Sequence, residues 1–312
     1  MISLKVMMNK SNYEAQVELL LNCLPALKNQ NTFALKGGTA INFFIKDLPR
    51  LSVDIDLTYV NTTPRQEAII EIQNGLEAIG DFIVKHNKQC HVKPLKTRDG
   101  LLHKIIIANS STQIKIEPNF IMRGTLFPIK KMFLIKEIEN RFAYAARDIP
   151  VLDSAELYAG KICAALSRQH PRDFFDIKIL LEKDGISDAT RQAFVIYLAC
   201  SPRPMHELLS PNLIELEDIY KNEFVNMTEQ PVTLDELLYA RERLINNIHK
   251  TLTDNEKQFL VSIKLGEPNY SLMPFDNLDK LPALNWKLIN IRKMDKKKHE
   301  KMLEKLRETL AT

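Results

Sequence analysis

The sequence predicts an α+β fold in two parts, a sheet with flanking helices over residues 1–150 and a mostly helical domain over residues 151–312. In the first part, several short segments alternate apolar and polar residues, and a period of two is typical of strands. After Pro150 the apolar residues instead recur three and four positions apart, which is typical of helices that bury one side. This change of period is the reason for placing a boundary near residue 150.

Local patterns place the elements along the chain. In the first domain, strands are expected around residues 33–35, 51–59, 82–85, 91–95, 103–108 and 113–120. Helices are expected there over residues 12–29, 39–46 and 64–79. Asp99-Gly100 and Asn109-Ser110-Ser111 are typical of hairpin turns. The second domain is expected to contain helices over residues 153–167, 171–181, 188–200, 205–222, 233–248, 254–264 and 283–310.

Composition narrows the class of protein. The chain has 312 residues, of which 45% are apolar, and its net charge of +4 permits an anionic partner without requiring one. Its four cysteines are scattered without a C-x-x-C pair, which favours a reducing compartment over a disulfide framework or a zinc site. The first residues lack the apolar run of a signal peptide, and no apolar stretch is long enough to cross a bilayer. We therefore expect a cytoplasmic protein with no membrane contact.

Two aspartates in the segment 51–59 are the first candidate site residues. Apolar residues alternate with Asp54 and Asp56, so in a strand both carboxylates project from one face, about 7 Å apart. Like charges repel unless a cation lies between them, and Mg²⁺ is often held by one or two carboxylates together with substrate phosphates. The pattern indicates a metal site, although two solvated acids on an edge strand would show the same spacing.

Glu117 extends this pattern to another strand. Lys115 and Glu117 alternate with Ile114 and Ile116, so the two charged residues share one face. If this strand pairs with the strand of the aspartates, Glu117 can join them, and three carboxylates from adjacent strands suit one or two metal ions that stabilise an in-line phosphoryl displacement. The alternative is an ordinary exposed strand face with a lysine and a glutamate.

A glycine pair precedes the aspartates. Gly37 and Gly38 lead from a short apolar run into a predicted helix that begins at Thr39. The N–H groups at such a helix end can bind phosphate oxygens, and glycine lets a ligand approach the main chain. Thr39 adds a hydroxyl donor. A plain turn would explain a lone glycine pair, but a Gly-Gly-Thr about fifteen residues before a D-x-D strand is far more specific.

These motifs together resemble a known family. The segments Leu35–Ala40 and Leu48–Leu57 are similar to the AbiEii/AbiGii toxins, which are nucleotidyltransferases of the DNA polymerase β-like superfamily. The similarity continues in Glu156–Lys161 and Arg168–Asp176 and covers most of the chain, although residues 185–280 show no matching motif. The resemblance implies a nucleotidyltransferase-like mixed sheet, followed by a helical domain that contributes to the same site.

The resemblance also implies roles for particular residues. Asp54 and Asp56 would hold Mg²⁺ or Mn²⁺. Beside them, the strand pattern alone leads us to expect Glu117 as a third ligand or as the general base. Two residues of the helical domain, Lys161 and Asp176, would complete the catalytic set. By resemblance, Gly38 and Thr39 would contact the NTP phosphates. We further expect Gly37, Ser52, Lys161 and Arg172 to bind the nucleotide.

Physical reasoning on the helical domain leaves alternatives open. Lys161 lies in an otherwise apolar stretch, where its ammonium could neutralise charge on the leaving pyrophosphate. A lysine that extends along a helix edge to solvent would fit the same position. Arg172 and Asp176 are four positions apart and can pair, either within the site or as a structural ion pair. Asp176 could also orient Lys161 or the nucleotide.

The reaction implied by the resemblance is transfer of NMP from NTP to an acceptor such as a tRNA 3′ end. The enzyme would be the toxin of an AbiE-like toxin–antitoxin or abortive-infection system, with a separately encoded antitoxin protein as its partner. The lysines 296–298 could contact RNA phosphates or could simply be solvated. Two other functions remain open: transfer to a protein or small molecule, and a module that binds nucleotide without chemistry.

Overall fold

The computed structural model describes residues 2–28, 30–225, 227–228 and 230–311, with side chains from Tyr13 onward. Within these ranges the chain forms a seven-stranded mixed sheet and many helices, which confirms the predicted α+β class. The chain divides into two compact units. The first spans Met1–Leu157 and Asn226–Pro231, and the second spans Tyr158–Val225 and Val232–Thr312. The sequence predicts a boundary near residue 150 between two independently folding domains. That boundary stays a prediction.

The first unit contains the sheet. Its strands are β1 (Phe33–Lys36), β2 (Asp54–Tyr59), β3 (His91–Lys96), β4 (Leu102–Ala108), β5 (Gln113–Asn119), β6 (Lys130–Met132) and β7 (Ile149–Val151). Its helices are α1 (Ile2–Cys23), α2 (Pro25–Lys28), α3 (Gly37–Phe44), α4 (Arg65–His86) and α5 (Lys136–Phe142). The predicted helix over 12–29 is thus present as α1 and α2, and its last position, residue 29, lies outside the described residues.

Strand β2 lies in the middle of the sheet, whose order is β3-β4-β5-β2-β1-β7-β6. It pairs with β1 in antiparallel and with β5 in parallel orientation. Ile55 and Leu57 of β2 are completely buried, as is Ile116 of β5. Because successive side chains point to opposite faces of a sheet, the residues between them lie on the other face.

The hairpin turns form as predicted. Between β3 and β4, the N–H of Gly100 donates to the carbonyl of Thr97 over 3.0 Å, and Gly100 has a positive φ of 80°. Between β4 and β5, the Asn109 side chain accepts hydrogen bonds of 2.9 Å from the N–H groups of Ser111 and Thr112. Both turns therefore have local polar groups that close them.

The second unit is helical. A helix that begins in the first unit, α6 (Ser154–Arg168), is followed by α7 (Pro171–Lys183), α8 (Asp188–Cys200), α9 (Met205–Leu209), α10 (Glu217–Glu223), α11 (Leu234–Thr251), α12 (Asp254–Leu265), α13 (Pro282–Arg292) and α14 (Lys296–Ala311). At its start, α6 is capped by Asp153, which accepts from the N–H of Ala155 over 2.8 Å. Every helix in the described ranges is too short or too polar to span a bilayer.

Three predicted elements are wrong. The strand expected over 82–85 is part of α4, because Ile79 and Ile83 continue the helical spacing of its buried face. The helix expected over 205–222 is broken into α9 and α10, and Pro211, between them, disfavours helix in the residue before it. The helix expected over 283–310 is also two helices, because Asp295 caps a new one by accepting from the N–H of Lys298 over 3.0 Å.

Helix α4 packs on the sheet through a glycine. A Cβ built on Gly75 would lie 2.6 Å from Cε2 of Phe33, a β1 residue that is 1% exposed. A buried ring has no room to withdraw from such a contact. A Cβ on Gly80, further along the same helix, would lie 3.2 Å from a methyl group of Val92.

We expect Gly75→Ala to lower the free energy of unfolding by about 1–3 kcal/mol, because overpacking outweighs the gain of about 1 kcal/mol in helix propensity. Urea denaturation followed by circular dichroism measures this difference. Gly80→Ala is the matched control and should lose less, because its nearest neighbour is a single methyl group on the edge strand. A Gly75→Ala protein as stable as the wild type would contradict this account of the packing.

Candidate functional site

The aspartates and Glu117 lie on neighbouring strands. In the parallel register of β2 and β5, Asp54 is paired with Lys115 and Asp56 with Glu117. The pairing that the third-carboxylate hypothesis required is therefore present. Side chains at paired positions of adjacent strands point to the same face, so the three carboxylates and Lys115 share one side of the sheet.

A lysine lies among these carboxylates. The Nζ atom of Lys115 is 3.2 Å from Oε2 of Glu117 and 3.9 Å from Oδ2 of Asp54. Burial by itself would lower the pKa of Lys115, but Asp54, Glu117 and Asp56 outweigh it and hold this pKa above its ordinary value. The side chains of Lys115, Asp54 and Glu117 are 34%, 41% and 37% exposed, so a ligand from solvent can reach them.

The two aspartates fit a divalent ion that substrate helps to hold. Among the described residues, no group of three or more His, Cys, Asp or Glu side chains is placed to hold a metal ion. Mg²⁺ commonly takes only one or two protein carboxylates and completes its shell with water and substrate phosphates. Asp54 and Asp56, partly exposed on one strand face, match that donor set. The role of Glu117 as a third ligand or general base stays a prediction.

The glycine pair forms the first turn of α3, immediately after β1. Gly37 has a positive φ of 76°, and a Cβ there would lie 2.5 Å from Oδ2 of Asp56. A Cβ on Gly38 would lie 2.6 Å from Nη2 of Arg50 and 3.0 Å from Oγ of Ser52. A Cβ at either glycine would therefore displace a neighbouring polar side chain of the site.

The hydroxyl of Thr39 positions the start of β2. Its Oγ1 lies 2.6 Å from the carbonyl oxygen of Asp54 and 3.0 Å from Oγ of Ser52, and both hydroxyl residues are buried. A carbonyl can only accept, so the Thr39 hydroxyl donates to Asp54, and the same hydroxyl faces Ser52 at hydrogen-bond distance. This ties α3 to the strand of the aspartates. The predicted phosphate contacts of Thr39, Ser52 and the two glycines stay predictions.

Arg50 belongs to this group although its side chain had no predicted role. It is 4% exposed, and its Nη1 donates to the carbonyl of Leu51 over 2.9 Å. Its backbone forms an isolated bridge to Thr228. The signal that could have found it is the period of two, since Arg50, Ser52, Asp54 and Asp56 follow each other at alternate positions.

In the helical unit, Lys161 lies in a buried ion cluster. Its Nζ is 2.9 Å from Oδ1 of Asp173 and 2.8 Å from Oδ2 of Asp176, and the three side chains are at most 6% exposed. Arg168 reaches Asp173 as well, through Nε at 2.5 Å and Nη2 at 2.8 Å. Burial would raise the pKa of Asp173, but Lys161 and Arg168 outweigh it and hold this pKa well below its ordinary value.

The ion pair between Asp176 and Lys161 is the contact that an orienting role of Asp176 requires. The role itself stays a prediction. Arg172 was predicted to share a helix face with Asp176, yet its Nη2 lies 3.5 Å from Oε2 of Glu223. Its N–H donates to Nδ1 of His170, the residue that caps α7, over 3.1 Å. The predicted nucleotide contact of Arg172 also stays a prediction.

Comparison with known proteins agrees with the predicted resemblance. A family model for the nucleotidyl transferase AbiEii toxin of a type IV toxin–antitoxin system matches residues 18–290. Among solved structures, MenT4, a nucleotidyltransferase toxin from Mycobacterium tuberculosis H37Rv, is similar with a TM-score of 0.59 and 15% identity, over 94% of this chain and 93% of that one. No curated protein matches the sequence.

The structural likeness, at this low identity, establishes a shared fold. The family model covers most of both units and includes the acidic strand, the glycine turn and the buried ion cluster. The predicted enzyme class is thereby confirmed. On this match, the chain belongs to the AbiEii family of nucleotidyltransferase toxins of type IV toxin–antitoxin systems.

Proposed function

We propose that this enzyme transfers a nucleoside monophosphate from an NTP to an acceptor hydroxyl, with a divalent ion held by Asp54 and Asp56. The observation that carries the proposal is the position of both carboxylates on one partly exposed face of β2, against the glycine turn that begins α3. The family assignment supplies the reaction class. The ion, the acceptor and the residue roles are what we add.

The chain's own groups have distinct tasks in this scheme. A divalent ion on Asp54 and Asp56 would polarise phosphate oxygens and lower the pKa of the acceptor hydroxyl. The N–H groups of Gly37 and Gly38 belong to the helix end that lacks intrahelical acceptors, so they can donate to phosphate oxygens. Within the described chain, the side chain of the N-cap residue Lys36 makes no capping hydrogen bond there. The Thr39 hydroxyl holds the strand of the aspartates in place.

The transfer itself exchanges one phosphorus–oxygen bond for another. The acceptor oxygen forms a bond to the α-phosphorus, the bond from that phosphorus to the bridging oxygen of the β-phosphate breaks, and pyrophosphate leaves. The proton of the acceptor hydroxyl must go to a base, for which Glu117 was predicted. Its carboxylate, partly exposed beside Asp56, is in contact with Lys115.

We further propose that Lys161, held by Asp176, is required for transfer. The cluster around Lys161 permits two roles. Two carboxylates at 2.9 and 2.8 Å fix the position of the ammonium, as a group that acts on phosphate would require. The same contacts would also serve a purely structural ion pair between α6 and α7.

The acceptor we propose is RNA, such as a tRNA 3′ end, and the partner is an antitoxin protein. The toxin–antitoxin family supports the partner. Support for RNA comes from the three consecutive exposed lysines at the start of α14, Lys296–Lys298. Lysines in that arrangement can neutralise backbone phosphates of a nucleic acid.

Loss of the aspartates tests the reaction. We expect Asp54→Asn and Asp56→Asn each to lower NMP transfer by about a hundredfold or more, because each removes a charged ligand. The measurement is incorporation of labelled NTP, together with growth arrest on expression. Asp81→Asn, on the exposed side of α4, is the control and should keep full activity. If either aspartate variant transferred NMP and arrested growth like the wild type, the proposed metal site would have to be abandoned.

The acceptor is tested by offering labelled NTP to separate pools of tRNA, protein and small molecules. We expect label in RNA, and we expect conversion of the three lysines 296–298 to glutamine to weaken RNA binding and to flatten its decline with rising salt, since fewer counterions are released. Binding of free NTP to the protein should not change in this variant. Label that enters only protein or only small molecules would overturn the RNA proposal and favour the corresponding alternative.

Asp173→Asn tests the structural role of the ion cluster. The pKa of Asp173 is lower in the folded than in the unfolded state, so its stabilisation is present above the unfolded pKa of about 3.9 and is lost as the pH falls through the folded pKa. We expect the variant to lose about 3–5 kcal/mol at pH 7 and to decline less steeply in acid. Urea denaturation from pH 7 to pH 3 measures both, with exposed Asp218→Asn as control.

The same variant serves as the reference for Lys161→Met. A purely structural cluster predicts that the two variants lose stability and transfer in parallel. A role of Lys161 in transfer predicts that Lys161→Met is inactive at temperatures at which both proteins are folded and Asp173→Asn still transfers. An Asp173→Asn protein with wild-type stability and an unchanged acid decline would contradict the structural account.

A further inference from the structure

Lys115 has no role in the proposed reaction. Lys115 lies on β5 between the two acidic positions of the sheet face, paired with Asp54 and two residues before Glu117. Ile114 and Ile116, on either side of it, are 3% and 0% exposed. Because those two side chains hold β5 against the core, Lys115 cannot turn to the other face without a shift of register.

The acidic residues of this sheet face are paired with one another and with two lysines. Asp56 and Glu117 are directly paired on adjacent strands, and like charges in that position are destabilising. Lys36, on β1, is paired with Asp56 on its other side. Lys115 supplies a second cation, whose Nζ lies 3.2 Å from Glu117 and 3.9 Å from Asp54.

The ammonium of Lys115 lies between two carboxylates that a second metal ion would need, 3.2 Å from Glu117 and 3.9 Å from Asp54. Two-metal sites for phosphoryl transfer hold their ions about 3.5–4 Å apart and share carboxylates between them. Here the space between Asp54 and Glu117 is taken by a protein cation that contacts both. Glu117 makes its ion pair with Lys115.

We propose that Lys115 is a positioning residue that replaces a second metal ion, so that the acidic face binds one divalent cation and Glu117 stays out of its ligand set. This inference rests on the proposed function, since it assumes that Asp54 and Asp56 hold the ion. It assigns Glu117 a charge-balancing contact with Lys115 in place of direct metal ligation.

Binding of Mn²⁺ to the full-length protein without nucleotide tests the proposal, with free Mn²⁺ followed by electron paramagnetic resonance. We expect Lys115→Met to bind Mn²⁺ about tenfold more tightly than the wild type, because a repelling charge is removed and Glu117 is released. Lys115→Met combined with Glu117→Gln should lose that gain. Lys115→Arg keeps the charge and should bind as the wild type does.

A second readout is thermal stability. Without metal, Lys115→Met should melt below the wild type, because its carboxylates are no longer offset, and added Mn²⁺ should raise its melting temperature more than that of the wild type. Lys93→Met is the matched control. Lys93 lies on exposed edge strand β3 in the same row, two strands away, and its loss should change neither readout.

The outcomes separate this inference from the proposed function. If Asp54→Asn abolishes Mn²⁺ binding while Lys115→Met and the wild type bind equally, the role of Lys115 is wrong and the metal site stands. If Asp54→Asn binds Mn²⁺ as the wild type does, both proposals fall. If no variant binds Mn²⁺ without nucleotide, the inference on Lys115 falls, because removal of its charge then releases no ligand for the ion. If Lys115 only maintains the local structure, Lys115→Met should bind Mn²⁺ more weakly than the wild type does. That result would also overturn the inference.

Discussion

The alternation of side chains along β2, in the middle of the sheet, is the constraint on which the acidic face depends. Ile55 and Leu57 are completely buried on one side, so Asp54 and Asp56 have only the other side available. A slip of one residue would bury both carboxylates and expose both apolar side chains, which the core does not permit. The parallel neighbour β5 follows the same rule, and the shared register is what brings its charged residues alongside.

The helical unit depends on a different device. Its first two helices, α6 and α7, are joined by Lys161, Asp173 and Asp176, all nearly inaccessible to solvent. Removal of charges from water is expensive, and such a cluster persists only when each charge finds close partners of opposite sign. Arg168 completes the set from the protein surface, where its side chain is 64% exposed. The cluster ties α6 to α7 through two contacts of one ammonium group.

Sequence patterns predicted most of the local elements and did not predict contacts between distant segments. The strands with a clear period of two were found, as were the hairpin turns and the helix starts at Ser154 and Pro171. Strands β6 and β7 were missed because three residues are too few to show a period. The acidic face was predicted because its residues alternate within two segments. The contacts of Lys115 and of Arg50 were not, because they depend on which strand and which loop lie next to them.

The close contact between Gly37 and Asp56 has a genetic consequence. Every single-base change that replaces this glycine introduces a side chain or a stop. Any side chain at this positive φ would meet the Asp56 carboxylate, which a Cβ approaches to 2.5 Å. On the proposed function, a lineage that has lost its antitoxin has, in one codon, several routes to an inactive toxin. Selection for survival would be expected to leave its traces in this turn.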